Sequence, residues 1–217
     1  MDIIQFPMCL CICALGVILS LVGERYSNTI LIASGKLIAA TAYLAAAWSL
    51  GAAETEWGRV LLLGMVFCWV GDLLLVSNSS RSLFLLGLTS FLLGHVAYIG
   101  AFAVRTVSFP AVLGAALPMV LFAWAVLRWL NPHLDARMRW PVWFYVIAIS
   151  TMMAMAVGTF AVAGNWLIPA GALLFLLSDL AVARDRFIAP GFINRAWGLP
   201  VYFCAQMVLA AALGFAV

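Results

Sequence analysis

Two aspartates carry the chemistry that this sequence can do. Asp72 lies in Trp69-Val70-Gly71-Asp72-Leu73-Leu74-Leu75 and Asp179 in Leu176-Leu177-Ser178-Asp179-Leu180-Ala181-Val182. Each follows a small residue inside an apolar run, and the two are 107 positions apart. Of the eight acidic residues, only these two fall within hydrophobic segments. An ionisable group at the centre of a membrane helix costs about 2.5–3.5 kcal/mol on insertion scales, so such groups mark functional sites by default. Two carboxyl groups in one apolar site cannot both ionise cheaply. Burial and like charge separate them into an acid that keeps its proton and an anion that can act as a base. The bland alternative is a structural polar knot in which a lysine neutralises one carboxylate. One lysine accounts for one acid and leaves the second unexplained.

The elements that must position these acids are membrane helices. The chain has 217 residues, 67% of them hydrophobic and 9% charged, against about a quarter charged in soluble domains. Eight apolar spans are expected: Phe6–Val22, Ile30–Leu50, Arg59–Val76, Ser82–Val104, Pro110–Leu130, Pro141–Ala163, Trp166–Ala183 and Ala196–Phe215. Most run about 17–23 residues, enough to cross a hydrocarbon core of ~30 Å at ~1.5 Å per residue. No alternating barrel pattern appears, and lipid offers free backbone groups no partner, so the spans must be helical. The fold class is all-α, a polytopic bundle of eight transmembrane helices in a single integral membrane domain covering residues 1–217. Pro110 and Pro141 read as helix starts, and Pro118, Pro169 and Pro200 as interior prolines that bend their helices. The N-terminus, Met1-Asp2-Ile3-Ile4-Gln5, lacks the basic region of a signal peptide, so the first span is expected to be retained. The 107-residue offset maps the third span onto the seventh, the pattern of a four-plus-four internal repeat; chance likeness between apolar helices explains the offset equally well.

Charge sets an expected orientation. The loops after the odd-numbered spans hold Arg25, Arg81, Arg128, Arg137, Arg139, Arg184, Arg186 and Arg195, whereas the opposite side holds Arg59 and Arg105. By the positive-inside rule the odd loops are cytoplasmic and both termini extracytoplasmic. The net charge of +3 is spread over loops and forms no nucleic-acid patch. Cys9, Cys11, Cys13, Cys68 and Cys204 show no metal-ligand or disulfide spacing, and no metal or cofactor is expected.

With that topology, Asp72 and Asp179 lie four residues before the cytoplasmic ends of their spans, about 6 Å in. Lys36 and Tyr202 lie six residues into the spans that return from the same side. These four side chains share one depth, and Gln206 shares the face of Tyr202 one turn on. His95 is some 13 residues into its span, about 20 Å from the same surface and deeper than the acids. Tyr98 lies on its face. For His95 a hydrogen-bonded packing role competes with catalysis. Ser178 can bond back to a helix carbonyl, and Asn78 is explained by helix capping.

The motifs together resemble the YhhN family of integral membrane proteins, which includes the lysoplasmalogenases. The resemblance is carried by Gly35-Lys36, Gly71-Asp72-Leu73-Leu74-Leu75, Leu83-Phe84-Leu85-Leu86-Gly87, Phe91-Leu92-Leu93-Gly94-His95-Val96-Ala97-Tyr98, Phe144-Tyr145 through Ser150-Thr151-Met152, Gly171 through Asp179, and Tyr202 with Gln206. These run in order from the second span to the eighth. Proline often follows the family's span-two lysine, and here Leu37 stands there.

The resemblance implies a membrane hydrolase that cleaves the vinyl ether bond of a lysophospholipid, giving a fatty aldehyde and a glycerophospho-alcohol. It implies that Asp72 and Asp179 match the family's two catalytic aspartates. Lys36, Asn78, His95, Tyr98, Ser178, Tyr202 and Gln206 are the supporting or substrate-binding candidates. The expected partners are that vinyl ether lysophospholipid and membrane lipids, with no nucleic acid. The expected location is a bacterial inner membrane, with the site near the cytoplasmic leaflet. Proton delivery to the outer alkene carbon makes an oxocarbenium ion, a problem that glycosidases also solve with two carboxyl groups. Two rivals stand beside this reading. An intramembrane aspartyl protease would need Gly-x-Gly-Asp and Tyr-Asp, and Trp69-Val70-Gly71-Asp72 and Ser178-Asp179 lack both. A proton-coupled transporter or lipid-binding protein could use the same Asp/Lys cluster.

Overall fold

A computed structural model describes residues 5–76 and 80–214. Asn78 lies outside the described residues. Eight long helices account for nearly all of the rest: α1 (Gln5–Arg25), α2 (Thr29–Ser49), α3 (Glu56–Leu74), α4 (Arg81–Val104), α5 (Phe109–Leu130), α6 (Ala136–Ala163), α7 (Leu167–Phe187) and α8 (Phe192–Ala211). All eight are long and apolar enough to cross a membrane, and the chain is a multi-pass membrane protein.

Side-chain caps supply partners for the orphan N–H groups that open several of these helices. The Asn28 side chain accepts from Ile30 and Leu31, both at 3.1 Å, and opens α2. Thr55, Ser80 and Ser108 open α3, α4 and α5 in the same way. Asp135 accepts from the backbone of Arg137 and Met138 at 3.0 Å and opens α6. That cap corrects an expectation. α6 begins at Ala136, and Pro141 sits inside the helix rather than at its start. Pro169 is corrected in the opposite sense: α7 begins at Leu167, so this proline stands in the first turn, where its missing N–H costs nothing. Pro118 and Pro200 are interior, in α5 and α8.

Consecutive helices pack as hairpins: α1 with α2, α3 with α4, α5 with α6, and α7 with α8. Between hairpins, α2 lies against α3 and α8, α6 against α4 and α7, and α1 against α8. α2 packs into these contacts through Ala39, Ala40, Ala42, Ala46 and Ala47, all buried. Small residues let helix backbones approach where lipid provides no hydrophobic drive. α5 is the opposite case. It buries only Val126 and Leu130 and turns Leu113, Leu117, Val120, Leu121 and Trp124 outward.

One end of the bundle gathers the arginines. Arg195 bridges Glu24 at 2.6 Å and Asp185 at 3.0 Å, and Arg81 pairs with Asp135 at 2.7 Å. Arg186 lies over the Phe84 ring at 4.2 Å and Arg25 over Phe192 at 5.9 Å. At the other end Arg105 covers Trp57 and Arg59 bonds the Ala53 carbonyl.

Two glycines fix how α3 meets α4. A Cβ on Gly64 would fall 2.6 Å from the Tyr98 ring and 3.1 Å from the Gly94 carbonyl. A Cβ on Gly71, next to Asp72, would fall 2.7 Å from the Phe91 ring. The small residue before Asp72 therefore makes room for an aromatic ring. Gly64→Ala should destabilise the purified protein by about 1–3 kcal/mol through overpacking. Gly100→Ala meets only Val60, at 3.5 Å, and should be neutral or stabilise by about 0.5–1 kcal/mol. Denaturation midpoints of both variants in one detergent check the contrast.

Candidate active site

α3 and α7 carry the two acids, and α2, α4, α6 and α8 bring the polar side chains that surround them. Asp72 is 4% exposed, and its Oδ2 accepts a 2.7 Å hydrogen bond from the Tyr202 phenol. Tyr202 in turn accepts from Gln206 Nε2 at 3.3 Å, and Gln206 Oε1 accepts from Tyr98 at 2.7 Å. The hydroxyl of Tyr98 also lies 3.8 Å from the Cys68 sulfur. A directed chain thus runs Tyr98 to Gln206 to Tyr202 to Asp72, crossing from α4 through α8 to α3. Every phenol in it is matched to an acceptor, as buried polar groups require.

Asp179 stands in a second network. Its Oδ2 accepts from Tyr145 of α6 at 3.0 Å and faces His95 Nε2 of α4 at 3.6 Å. The other ring nitrogen of His95, Nδ1, lies 2.8 Å from the Phe91 carbonyl. His95 Nε2 is fully buried and has no hydrogen-bond partner among the described residues.

Phe175 separates the two networks. Its buried ring meets His95 at 4.7 Å, Tyr202 at 5.3 Å, Tyr98 at 6.2 Å and Phe91 at 6.4 Å between centroids, each edge to face. This is the preferred geometry of aromatic pairs.

Asp72 and Asp179 nevertheless open onto the same cavity. Lys36, Tyr145, Ser178 and Tyr202 line it beside them. Towards the arginine-rich end it is bounded by Glu24, Asp185, Arg186, Asn194 and Arg195. Its α4–α6 wall is apolar, made by Phe84, Leu88, Phe122, Val126, Val142, Val146 and Ile149. The cavity has the two characters of an amphiphile: a charged end and a greasy side.

Sequence reasoning set Asp72, Asp179, Lys36 and Tyr202 at one level, and all four line the cavity. Lys36, however, makes no ion pair with either acid within 4 Å among the described residues; its Nζ donates to the Leu75 carbonyl at 3.4 Å. Ser178 bonds back to the Phe175 carbonyl at 2.7 Å. His95 requires a correction, because it is not set apart from the acids by depth but faces Asp179. The expectation measured depth from an α7 that ended at residue 183. α7 continues to Phe187, so Asp179 lies eight residues from its end, about 12 Å. Tyr145 and Phe175 were not expected in the site. A signal for Tyr145 was present: the chain has five tyrosines, and all but Tyr26 lie within membrane helices, where a phenol needs a partner.

Fold and site together describe a multi-pass membrane protein whose interior holds two carboxyl groups on one partly apolar cavity. The chain belongs to the YhhN family, whose family model matches residues 33–213. It is similar to the lysoplasmalogenase TMEM86A of Bos taurus, at 32% identity over 69% of this chain and 63% of the relative. It is also similar to TMEM86A of Homo sapiens at 31%, over 69% of this chain and 63% of the relative. The lysoplasmalogenase of Mycobacterium tuberculosis matches at 29% identity over 72% of this chain and 61% of the relative. The chain spans somewhat less than two thirds of the length of these curated relatives. No solved structure matches it.

The tyrosine chain should behave as one unit. Tyr202→Phe strands both Asp72 and Gln206, and should cost about 1–3 kcal/mol. Tyr98→Phe removes one donor upstream and should cost less. In a double-mutant cycle read by denaturation in micelles, the two should couple by about 0.5–3 kcal/mol. Strict additivity would show that the bonds do not act together.

Proposed function

We propose that this protein is a lysoplasmalogenase, a hydrolase of the vinyl ether bond of lysoplasmalogens, with Asp72 and Asp179 dividing acid and base roles. The observation that carries the proposal is the shared cavity. Two carboxyl groups with different hydrogen-bond partners open onto one space that is charged at one end and apolar along one wall. The names of the relatives support the same reading.

The chemistry uses both acids and returns them unchanged. One carboxyl group gives its proton to the outer alkene carbon, leaving an oxocarbenium ion that the other, ionised carboxylate stabilises. That carboxylate takes a proton from the water that adds to the cation. In the resulting hemiacetal, the hydroxyl proton returns to the first acid as the carbon–oxygen bond to glycerol breaks. The leaving alcohol takes the proton from the second. One water is consumed, an aldehyde and a glycerophospho-alcohol are released, and both carboxyl groups are reset. General acid–base catalysis of this kind is worth about 10²–10⁴ in rate.

Lys36 and Arg186 suit the phosphate of such a substrate. Both line the cavity, and neither is paired with a carboxylate among the described residues: Lys36 bonds a carbonyl and Arg186 lies on a ring. The acyl-like chain fits the apolar α4–α6 wall. We further place both termini on the extracytoplasmic side and the arginine-rich end in the cytoplasm, on the eight-to-two distribution of basic residues.

Detergent-purified protein should release aldehyde from a vinyl ether lysolipid. It should leave the matched saturated ether and ester intact, because neither accepts a proton at an alkene carbon. Asp72→Asn and Asp179→Asn should each lower turnover by about 10²–10⁴, and the double variant should be little worse than either. Mass spectrometry of the products reads all arms, and wild-type turnover in either folded Asn variant would refute the two-carboxylate mechanism. Lys36→Met keeps length and removes charge. It should raise KM for the phosphate-bearing substrate by about 10-fold or more, the scale of a lost charged hydrogen bond. Lys36→Arg should retain more of the affinity, since it restores the charge but not the shape.

A further inference from the structure

We infer that Asp179 and His95 hold one proton between them, so that Asp179 is the acid, His95 its positioning residue and Asp72 the base. This assignment rests on the vinyl ether reading of the site above.

Donors and acceptors around His95 do not balance without a shared proton. His95 Nδ1 lies 2.8 Å from the Phe91 carbonyl, which can only accept, so Nδ1 carries a hydrogen. In a neutral imidazole the other nitrogen, Nε2, then presents a lone pair. That nitrogen lies 3.6 Å from Asp179 Oδ2, is fully buried and has no hydrogen-bond partner among the described residues. Oδ2 is an acceptor too, already receiving the Tyr145 hydroxyl at 3.0 Å. Two acceptors do not face each other stably at a buried nitrogen, here packed by Phe175 and Tyr145, whose rings stand 4.7 and 4.9 Å from the imidazole. A separation of 3.6 Å is less than the span of one bridging water. One proton resolves the conflict, held as carboxylic acid beside neutral imidazole or as carboxylate beside imidazolium. Either form gives the pair a transferable proton. Catalytic contacts are commonly this long before substrate binds and tighten afterwards.

Asp72 also accepts from a phenol, Tyr202, at the end of a chain in which each phenol hydrogen has an acceptor. No second acceptor faces it among the described residues, so nothing there demands a proton, and Asp72 is left to the base role. The contrast has a positional logic. His95 and Tyr202 are 107 residues apart, as are Asp72 and Asp179. Each acid is met by the equivalent position of the other hairpin: α8 supplies Tyr202 to Asp72 on α3, and α4 supplies His95 to Asp179 on α7. Exchanging a phenol for an imidazole with one committed nitrogen turns a giver of hydrogen into a taker. That difference, beside the Tyr145 hydroxyl that Asp179 alone receives, separates the two aspartates into acid and base.

The chain has two histidines, and His133 lies in the exposed turn after α5. Labelling a His133→Gln protein with ¹⁵N-histidine therefore leaves one imidazole to read. Its spectrum should show a protonated Nδ1, with Nε2 displaced from the free lone-pair position towards that of a proton-bound nitrogen. Asp179→Ala should abolish the displacement and Asp72→Ala should leave it. A free Nε2 in the otherwise native protein overturns the inference with no site variant needed, as does an Nε2 that ignores Asp179→Ala. His95→Phe keeps the ring contacts without nitrogen, and should lower kcat about 10²-fold with KM nearly unchanged; normal kcat would overturn the positioning role. The spectrum is read without substrate. A free Nε2 with intact vinyl ether cleavage removes only the proton assignment. A shared proton in a protein that cleaves no vinyl ether removes the activity and leaves the pair.

Discussion

A carboxyl group inside an apolar bundle must either be met by donors or keep its own proton, and the interior of this protein is arranged around meeting that demand twice. Asp72 is met by Tyr202, and Asp179 by Tyr145 with His95 beyond it. Each of those groups needs a partner of its own, which draws in Gln206, Tyr98 and the Phe91 carbonyl. An unmatched buried polar group costs on the order of 1–3 kcal/mol, so the networks cannot stop short. The tyrosines that complete them are large, and the backbone makes room for them with small residues. Gly64 admits the Tyr98 ring, and Gly71 admits the Phe91 ring that packs on Tyr202. The close α3–α4 crossing is therefore a consequence of the polar site as much as a means of helix packing.

The hairpin arrangement explains how eight helices deliver so few groups to one place. Each acid comes from the first helix of a hairpin: Asp72 on α3 is met by Tyr202 of α8, and Asp179 on α7 by Tyr145 of α6, with His95 of α4 facing it. Neither hairpin alone satisfies its own carboxyl group. This crossing makes the polar interior a tie between distant parts of the sequence, with Asp72 and Tyr202 lying 130 residues apart. It complements the van der Waals contacts of the alanine-rich face of α2, which carry no directional information.

Much of this was legible in the sequence, for identifiable reasons. Long apolar runs mark membrane helices with little ambiguity, and a charged residue within one is conspicuous against that background. The eight helices stand where the runs predicted them, and Asp72, Asp179, Lys36 and Tyr202 line one cavity. What failed was depth arithmetic. Counting residues from a helix end assumes that the end is known and that neighbouring helices run parallel with equal overhang. α7 ends four residues beyond its apolar run, because Arg184 and Arg186 continue the helix past it. That shift removes about 6 Å of the separation set between His95 and Asp179, and unequal overhang of the helices accounts for the rest. Lys36 was placed at the depth of the acids by its position alone, and a carbonyl at the end of α3 takes its ammonium. Asp135 shows the same limit for boundaries: a capping aspartate, with its partners two and three residues on, outranked the proline further along.

Phe175 has a consequence of another kind. Its ring has neither donor nor acceptor, and it stands between His95 on one side and Tyr202 on the other. No hydrogen bond among the described residues joins the network of Asp72 to that of Asp179. The ring works as electrical insulation between two wires that end at the same gap. A proton cannot leak from one acid to the other through the protein, because every route through the hydrogen bonds stops at hydrocarbon. The circuit closes only across the cavity, through whatever molecule lies there.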